Sequence, residues 1–349
     1  MRSSYKKEDV IWLLKDITGL VEPQPAEKRE RLIQSGRHYC EMLPLEYVPS
    51  ATYMEAYRQA LKHFAAPVAA AVETLADKIM AERGGSVVLV SLARAGTPIG
   101  ILIKHCIRRK YHQTVPHYAI SIIRGKGIDR NAMNCLLKKY RAEQLLFVDG
   151  WIGKGAILSE LEKEMKDFKG VSPELAVVAD PANMTELCGT HEDILIPSSC
   201  LNSTVSGLVS RTFLRDDIIG AEDFHGAVYY GELTACDLSY EFIQAIEAKF
   251  GQKCITEKKH RKGRGIDEVQ EIAERFGIED INLIKPGIGE ATRVLLRRVP
   301  WKILISRDHK EDAALAHVLR LAEEKQVPVE EYPLRHYKVC GLIRKLADT

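Results

Sequence analysis

One stretch, Leu145-Leu146-Phe147-Val148-Asp149-Gly150-Trp151-Ile152-Gly153-Lys154-Gly155-Ala156-Ile157, limits what this chain can fold into more than any other. Its apolar run suits a central strand of a parallel sheet, which is covered on both faces. Asp149 falls at the carboxyl end of that strand, where open α/β sheets place their ligand chemistry. Gly153 and Gly155 permit a tight turn whose backbone N–H groups converge on an anion. A helix over residues 156–168 would aim its positive end at the same point.

The rest of the chain supplies partners for that strand. Spacing of Tyr57, Leu61, Phe64, Val68, Val72, Leu75 and Ile79 predicts a helix over 51–82, broken once near Pro67. A β-type run at 86–90 ends in Ala93-Arg94-Ala95-Gly96-Thr97-Pro98, a second loop able to hold an anion before a helix. A third strand is expected over 117–123, followed by a basic loop with Arg124, Lys126 and Arg130, and a fourth over 174–179. Strands alternating with helices at this spacing argue for a doubly wound parallel sheet. Residues 1–34 read as surface helices interrupted by Pro23 and Pro25. The segment 35–49 has no clean period but is dense in rings and charges, a composition that suits a loop covering a site. The hydroxyl-rich run 198–212 has no evident structural need.

With 349 residues the length favours two domains. The eight cysteines are scattered, without a C-x-x-C pair or zinc-type spacing, so free, mostly buried thiols are expected. No apolar run reaches the ~20 residues of a membrane span, and the first residues lack a signal-peptide core. The expected location is therefore cytoplasmic. Formal net charge is only +2, but Lys253, Lys258, Lys259, Arg261, Lys262 and Arg264 form a basic, apolar-poor patch. The expected domains are thus 1–250, a basic linker 251–269, and a small α/β sandwich at 270–349. That sandwich should contain helices at 266–276, 291–298 and 313–324, strands at 302–306 and 327–331, and a final helical segment.

Two anion loops at neighbouring strand ends with Asp149 between them suit a ligand with phosphates at both ends and a sugar in the middle. The segment 147–157 resembles the ribose-phosphate signature of type I phosphoribosyltransferases, although Gly150 replaces the usual second acid. Taken whole, residues 35–240 resemble the phosphoribosyltransferase-like family, also called StiP, of tellurium-resistance and stress-response gene clusters. Carriers of that resemblance are the loops at 92–98, 121–127 and 147–155 and the run 200–212. It implies a transferase that takes phosphoribosyl pyrophosphate with Mg²⁺ bound through the substrate and passes the sugar to an unidentified acceptor. The product would be a stress-related, nucleoside-like metabolite, and a homodimer is among the assemblies it allows. Asp149, Gly150, Gly153, Lys154 and Gly155 would hold ribose and 5′-phosphate. Ala93, Arg94, Ala95, Gly96, Arg124 and Lys126 would hold pyrophosphate, with Asp149, Arg94 and Lys126 catalytic. Arg37, His38, Tyr39 and Glu41 are candidates for a base-covering hood.

Gly153-Lys154 is no Walker loop, because Gly155 stands where Ser or Thr is required. A competing reading is cysteine hydrolysis, with Cys200 as nucleophile and His191 or His225, with Asp223, as base and orienting group. The C-terminal stretch 285–293 resembles the Pelota and kink-turn RNA-binding signature. That resemblance implies RNA as a partner, with Gly287, Gly289, Glu290, Thr292, Arg293 and Arg297 in contact.

Overall fold

Alternating side-chain directions along each strand divide the main sheet's apolar residues between two cores. In the computed structural model, which describes residues 1–252 and 263–344, the chain first forms β1 (Ile11–Trp12), β2 (Lys15–Asp16), α1 (Ala26–Gln34) and α2 (Ala51–Arg83). Next come β3 (Val88–Leu92), α3 (Gly96–Tyr111), β4 (His117–Ile120), β5 (Ile122–Ile123), β6 (Gly127–Ile128) and α4 (Arg130–Leu137). The domain continues with β7 (Leu145–Trp151), α5 (Ala156–Met165), β8 (Leu175–Ala179), β9 (Cys188–Thr190), β10 (Gly226–Ala227) and α6 (Ser239–Glu247). Six strands form one parallel sheet in the order β1-β4-β3-β7-β8-β9.

Leu146, Val148, Ala176 and Val178 pack on one face with residues of α2, α3 and α6. Leu145, Phe147, Leu175 and Val177 pack on the other with residues of α4 and α5. This is the period-2 pattern of a sheet covered on both sides. The opening stretch lies in its middle as strand, turn and helix. Gly155 takes φ +85°, a left-handed conformation that starts α5 at low cost. A Cβ on Gly96 would lie 2.3 Å from the Val148 carbonyl, so the second loop presses directly against the end of β7.

Several expectations are corrected. The helix does not break at Pro67; α2 runs unbroken through it. Burial of Tyr57, Phe64, Val68, Val72, Leu75 and Ile79 along one side outweighs the roughly 3 kcal/mol penalty of an interior proline. The N-terminal segment is not purely helical, because Ile11–Trp12 adds the edge strand beside β4. The expected third strand is split at Ser121, and Ile122–Ile123 pairs instead with Gly127–Ile128 as a hairpin carrying the basic loop.

The C-terminal domain comprises α7 (Gly265–Phe276), β11 (Ile284–Pro286), α8 (Ile288–Arg297), β12 (Pro300–Ser306), α9 (Ala316–Glu324), β13 (Val329–Tyr332) and β14 (Val339–Ile343). Its sheet order is β11-β14-β12-β13. The final segment is therefore an internal strand rather than a helix, and all five of its residues are buried. Most of the basic linker, including Lys253 and Arg261, lies outside the described residues, while its last residues already belong to α7.

His105 on α3 fastens the N-terminal segment and α6 to the sheet. It bonds Asp9 Oδ1 at 2.8 Å and Glu247 Oε1 at 2.5 Å. Burial alone would lower its pKa, but the two carboxylates outweigh that effect and raise it to about 9. This contribution is complete below the ordinary value of 6.5 and disappears as pH rises through about 9. Chemical denaturation should show the wild type losing about 2 kcal/mol across that window, after discounting for solvent at Glu247. His105→Gln should show no such loss.

Candidate functional site

The basic groups expected to hold phosphate spend their hydrogen bonds on protein. Lys154 donates to the carbonyls of Ile281 at 2.5 Å and Ile284 at 3.3 Å. Arg124 Nη1 donates to Asn282 Oδ1 at 2.7 Å. Gly153 offers its carbonyl to the Tyr337 hydroxyl at 2.6 Å. The glycine turn after β7 is thus a seat for the C-terminal domain. Burial there, with Lys285 and Arg124 nearby, brings the Lys154 ammonium down to about 8. Burial pushes the Asp149 carboxyl up to about 7, against the opposing pull of the Gly150 N–H at 2.7 Å and the charge of Arg293.

The same docking covers the start of α8. Asp193, which is 2% exposed, accepts from the amide of Ile288 at 3.0 Å and from that of Lys338 at 2.9 Å. Its carboxylate therefore caps a helix N-terminus across the domain boundary. A Cβ on Gly287 would come within 3.2 Å of Asp193 Oδ1, and one on Gly289 within 3.3 Å of Ser199 Oγ. Thr292 is buried, donating to the Ile288 carbonyl at 2.7 Å and sharing a bond with His317 Nε2 at 2.9 Å. Glu290 pairs with Arg293 at 3.1 Å and with Lys285 at 3.9 Å. Residues expected to face RNA are thus turned toward the first domain or toward one another; the Arg297 side chain lies outside the described residues. Ile288, Ala291 and Leu295 join the same apolar cluster as Leu195, Ile196 and Cys200.

Arg94 is likewise turned inward. It donates to the Val209 carbonyl at 2.9 Å and to Asn202 Oδ1 at 3.1 Å, with Glu46 Oε1 at 3.6 Å. The run 198–212, unexplained from sequence, wraps this arginine as two single helical turns and a bend, with Ser203, Thr204, Ser206 and Ser210 buried. Lys126 remains exposed.

The Cys200 constellation does not assemble. Cys200 is fully buried in the apolar core. His225 Nδ1 faces Ser121 Oγ at 2.8 Å, Asp223 pairs with Lys15 at 2.6 Å, and His191 faces a different sulfur. The structure instead offers two other Cys–His pairs. At the end of β9, Cys188 Sγ lies 3.4 Å from Nε2 and 3.8 Å from Nδ1 of His191, and Nδ1 is 3.0 Å from the Asp180 carbonyl. A sulfur almost equidistant from both nitrogens sits over the imidazole face, because an in-plane position would collide with a ring carbon. The lone pair that accepts a proton lies in the ring plane, so this pair is poorly aimed.

The second pair lies in the segment expected to cover the site. His38 Nδ1 is 2.9 Å from Cys40 Sγ, and His38 Nε2 is 3.1 Å from the Arg124 carbonyl. The Arg124 N–H in turn donates to the Tyr39 hydroxyl at 3.1 Å. These two bonds pin the turn to the basic hairpin. With Nε2–H donating to a carbonyl, Nδ1 is left as an acceptor that faces the thiol and also takes the Cys40 backbone N–H at 3.3 Å, while the Leu214 carbonyl lies 3.6 Å from the sulfur. Burial pushes the Cys40 thiol up to about 11, while Lys126 and Arg211 pull the other way; burial also lowers His38 from its ordinary value. The resting pair is accordingly a thiol beside a neutral imidazole. Arg37 and Glu41 flank it as an exposed 3.8 Å ion pair. Sequence reasoning marked His38 but passed over Cys40, although only Tyr39 stands between them.

No helix among the described residues is long and apolar enough to cross a membrane. No group of three or more His, Cys, Asp and Glu able to hold a metal occurs among them.

Residues 3–247 match the family described as "Tellurite-like stress resistance cysteine protease StiP", and residues 263–345 match the "PELOTA RNA binding domain". A relative from Acinetobacter baylyi (strain ATCC 33305 / BD413 / ADP1), "Cysteine protease StiP", is 36% identical over 363 residues, covering 98% of this chain and 94% of its own length. Among solved structures, a hypoxanthine-guanine phosphoribosyltransferase from Bacillus anthracis aligns over 38% of this chain and 71% of its own, at 15% identity and a TM-score of 0.23. A NifS-like protein from Rickettsia africae covers 97% of this chain and 95% of its own, at 12% identity and a TM-score of 0.22. Such low scores carry no argument.

The expected phosphoribosyl transfer is therefore corrected. The family description and the full-length relative both name a cysteine protease, and the Lys154 and Arg124 side chains expected to grip phosphates are engaged by the second domain. Asp193→Ala should leave two buried amides without acceptors, at a cost of about 1–3 kcal/mol. Hydrogen exchange should report it as lost protection at Ile288 and Lys338, with β7 still protected.

Proposed function

This chain belongs to the StiP family, and from that premise we propose that it is a cysteine peptidase whose nucleophile is Cys40 and whose general base is His38. The observation that carries this choice is the 2.9 Å approach of His38 Nδ1 to Cys40 Sγ, with the far side of the ring anchored on a carbonyl. It is the Ser–His or Cys–His logic of nucleophile, base and orienting group, with a backbone carbonyl in the third role. Among the described residues, the alternatives are a sulfur over a ring face at Cys188 and a core thiol at Cys200.

In the reaction His38 takes the thiol proton as sulfur bonds to the scissile carbonyl carbon. The same proton then passes to the departing amine as the C–N bond breaks, leaving a thioester. Water, deprotonated by His38, cleaves that thioester and restores the thiol. Cys40 Sγ is covered in the resting fold, so substrate must displace the short turn Tyr39–Glu41. The Lys126 and Arg211 charges favour the thiolate once it forms.

The C-terminal domain has a second role as an RNA-binding module, supported by its family match. With the start of α8 occupied, the surface that suits a nucleic acid is a groove of about 390 Å³ lined by Trp301, Lys325, Pro328 and Arg344. It combines a ring with cations, as single-strand binders do. Charge reversal of Lys325 and Arg344 together should abolish RNA retention in a filter-binding assay; unchanged retention excludes this face.

On a fluorescent casein substrate, Cys40→Ser should lose at least ~10³-fold in kcat/KM, and His38→Gln a comparable factor. Cys200→Ser should retain activity. Loss on Cys188→Ser alone would move the nucleophile to β9. Because burial keeps His38 neutral below its ordinary 6.5, the acid limb of the pH–rate profile should fall below pH 6.5.

A further inference from the structure

Close enough to Cys40 to act on it electrostatically lies a cation that no described residue neutralises. The Arg211 guanidinium stacks on Tyr39, 4.6 Å from the ring centroid. Among the described residues it makes no hydrogen bond and no ion pair. Its electrostatic neighbours are Arg29, Tyr39, Arg94 and Cys40, and the carboxylate of Glu46, which like Arg211 acts on the Tyr230 hydroxyl, is already committed. Glu46, with only 4% of its side chain exposed, accepts from Ser203 Oγ at 3.1 Å and faces Arg94 at 3.6 Å. Close by, the Tyr230 hydroxyl is buried without a partner and feels both Glu46 and the two arginines. Burial and the like charges bring Arg211 down to about 10.

Buried polar groups are almost always paired, so the unpartnered Tyr230 hydroxyl, electrostatically coupled to a half-buried guanidinium that no described residue bonds, marks a place that suits a ligand. Glu46 offsets Arg94, while Arg211 pairs with no carboxylate among the described residues, which suits an anionic group on a ligand. A guanidinium fork matches the two oxygens of a carboxylate. The Tyr39 ring fixes the plane of the fork and belongs to the residue next to the nucleophile.

We infer that Arg211, with the Tyr230 hydroxyl, binds a carboxylate of the substrate and so directs cleavage to bonds close to an acidic group. The inference rests on the assignment of Cys40 as nucleophile for its meaning in catalysis, though the binding site can be tested without turnover. The carboxylate has two sources, the carboxyl terminus of a peptide or an Asp or Glu side chain. Either class of ligand would leave the fork of Arg211 doubly occupied and the Tyr230 hydroxyl donating.

The test uses the full chain carrying Cys40→Ser and calorimetry with N-acetylated hexapeptides in three forms: free acid, carboxyl-terminal amide, and amide with one internal Asp. The expected result is that the free acid, or the Asp-containing amide, binds roughly ten- to a hundredfold tighter than the plain amide. Which of the two does so identifies the source. Arg211→Gln should erase that difference, and Arg211→Lys should keep part of it, with melting temperatures showing all variants folded. Equal binding of all three peptides, no binding of any, or an undiminished preference in Arg211→Gln overturns the inference. So does inorganic phosphate displacing the acid peptide at far lower concentration than acetate. If the preference appears but the wild type cleaves none of the peptides, the carboxylate site stands and the peptidase assignment falls.

Discussion

The buried carboxylate of Asp193 is the constraint on which the relation between the two halves of the molecule depends. It satisfies the first amide of α8 and the amide of Lys338 together, two donors on separate elements of the second domain. A buried carboxylate without such donors would be costly, and amides without the carboxylate would be orphaned. Each side of the boundary therefore needs the other. Around this point Lys154, Tyr337 and Arg124 close further bonds, and the apolar face of α8 completes the core above α2.

This docking changes what the central strand–turn–helix unit is for. The turn after β7 has the backbone of an anion loop, yet the adjacent lysine serves carbonyls of the second domain and burial pushes the pKa of the adjacent, partly buried acid up to about 7. The proposed nucleophile and base lie instead against the basic hairpin. There the turn at 39–41, the basic hairpin and the wrapped run 198–212 bring together a thiol, an imidazole and a guanidinium that no described residue pairs with. The hairpin backbone, rather than its charges, holds the base in place: the Arg124 carbonyl and N–H fix His38 and Tyr39, while the Arg124 side chain points to the other domain.

Much of the fold was legible. Continuous apolar runs at β3, β7 and β8 separated by helical periods can be buried only in a doubly covered parallel sheet. Departures came where tertiary packing overrode a local preference. Pro67 did not end α2 because its surroundings bury the helix on one side, and 339–343 became a strand because the sheet had a vacant place between β11 and β12. The site was legible only in part. Segment 35–49 was marked, though as a hood for a different ligand, but Cys40 was hidden among eight unpatterned thiols, and Arg211 stood in a hydroxyl-rich run with no periodic signal.

By itself the chain order determined the two domains, the parallel sheet and the strand–turn–helix at residues 145–157, because hydrophobic period and glycine placement act over short distances. The tertiary structure alone decided which cations remain free and which thiol meets an imidazole. Lys154, Arg124 and Arg94 carry the same charge as Arg211, and only long-range packing shows that the first three are consumed by backbone and side-chain acceptors while no described residue bonds the fourth. A side chain's charge is written in the sequence; whether that charge has a partner depends on groups more than a hundred residues away.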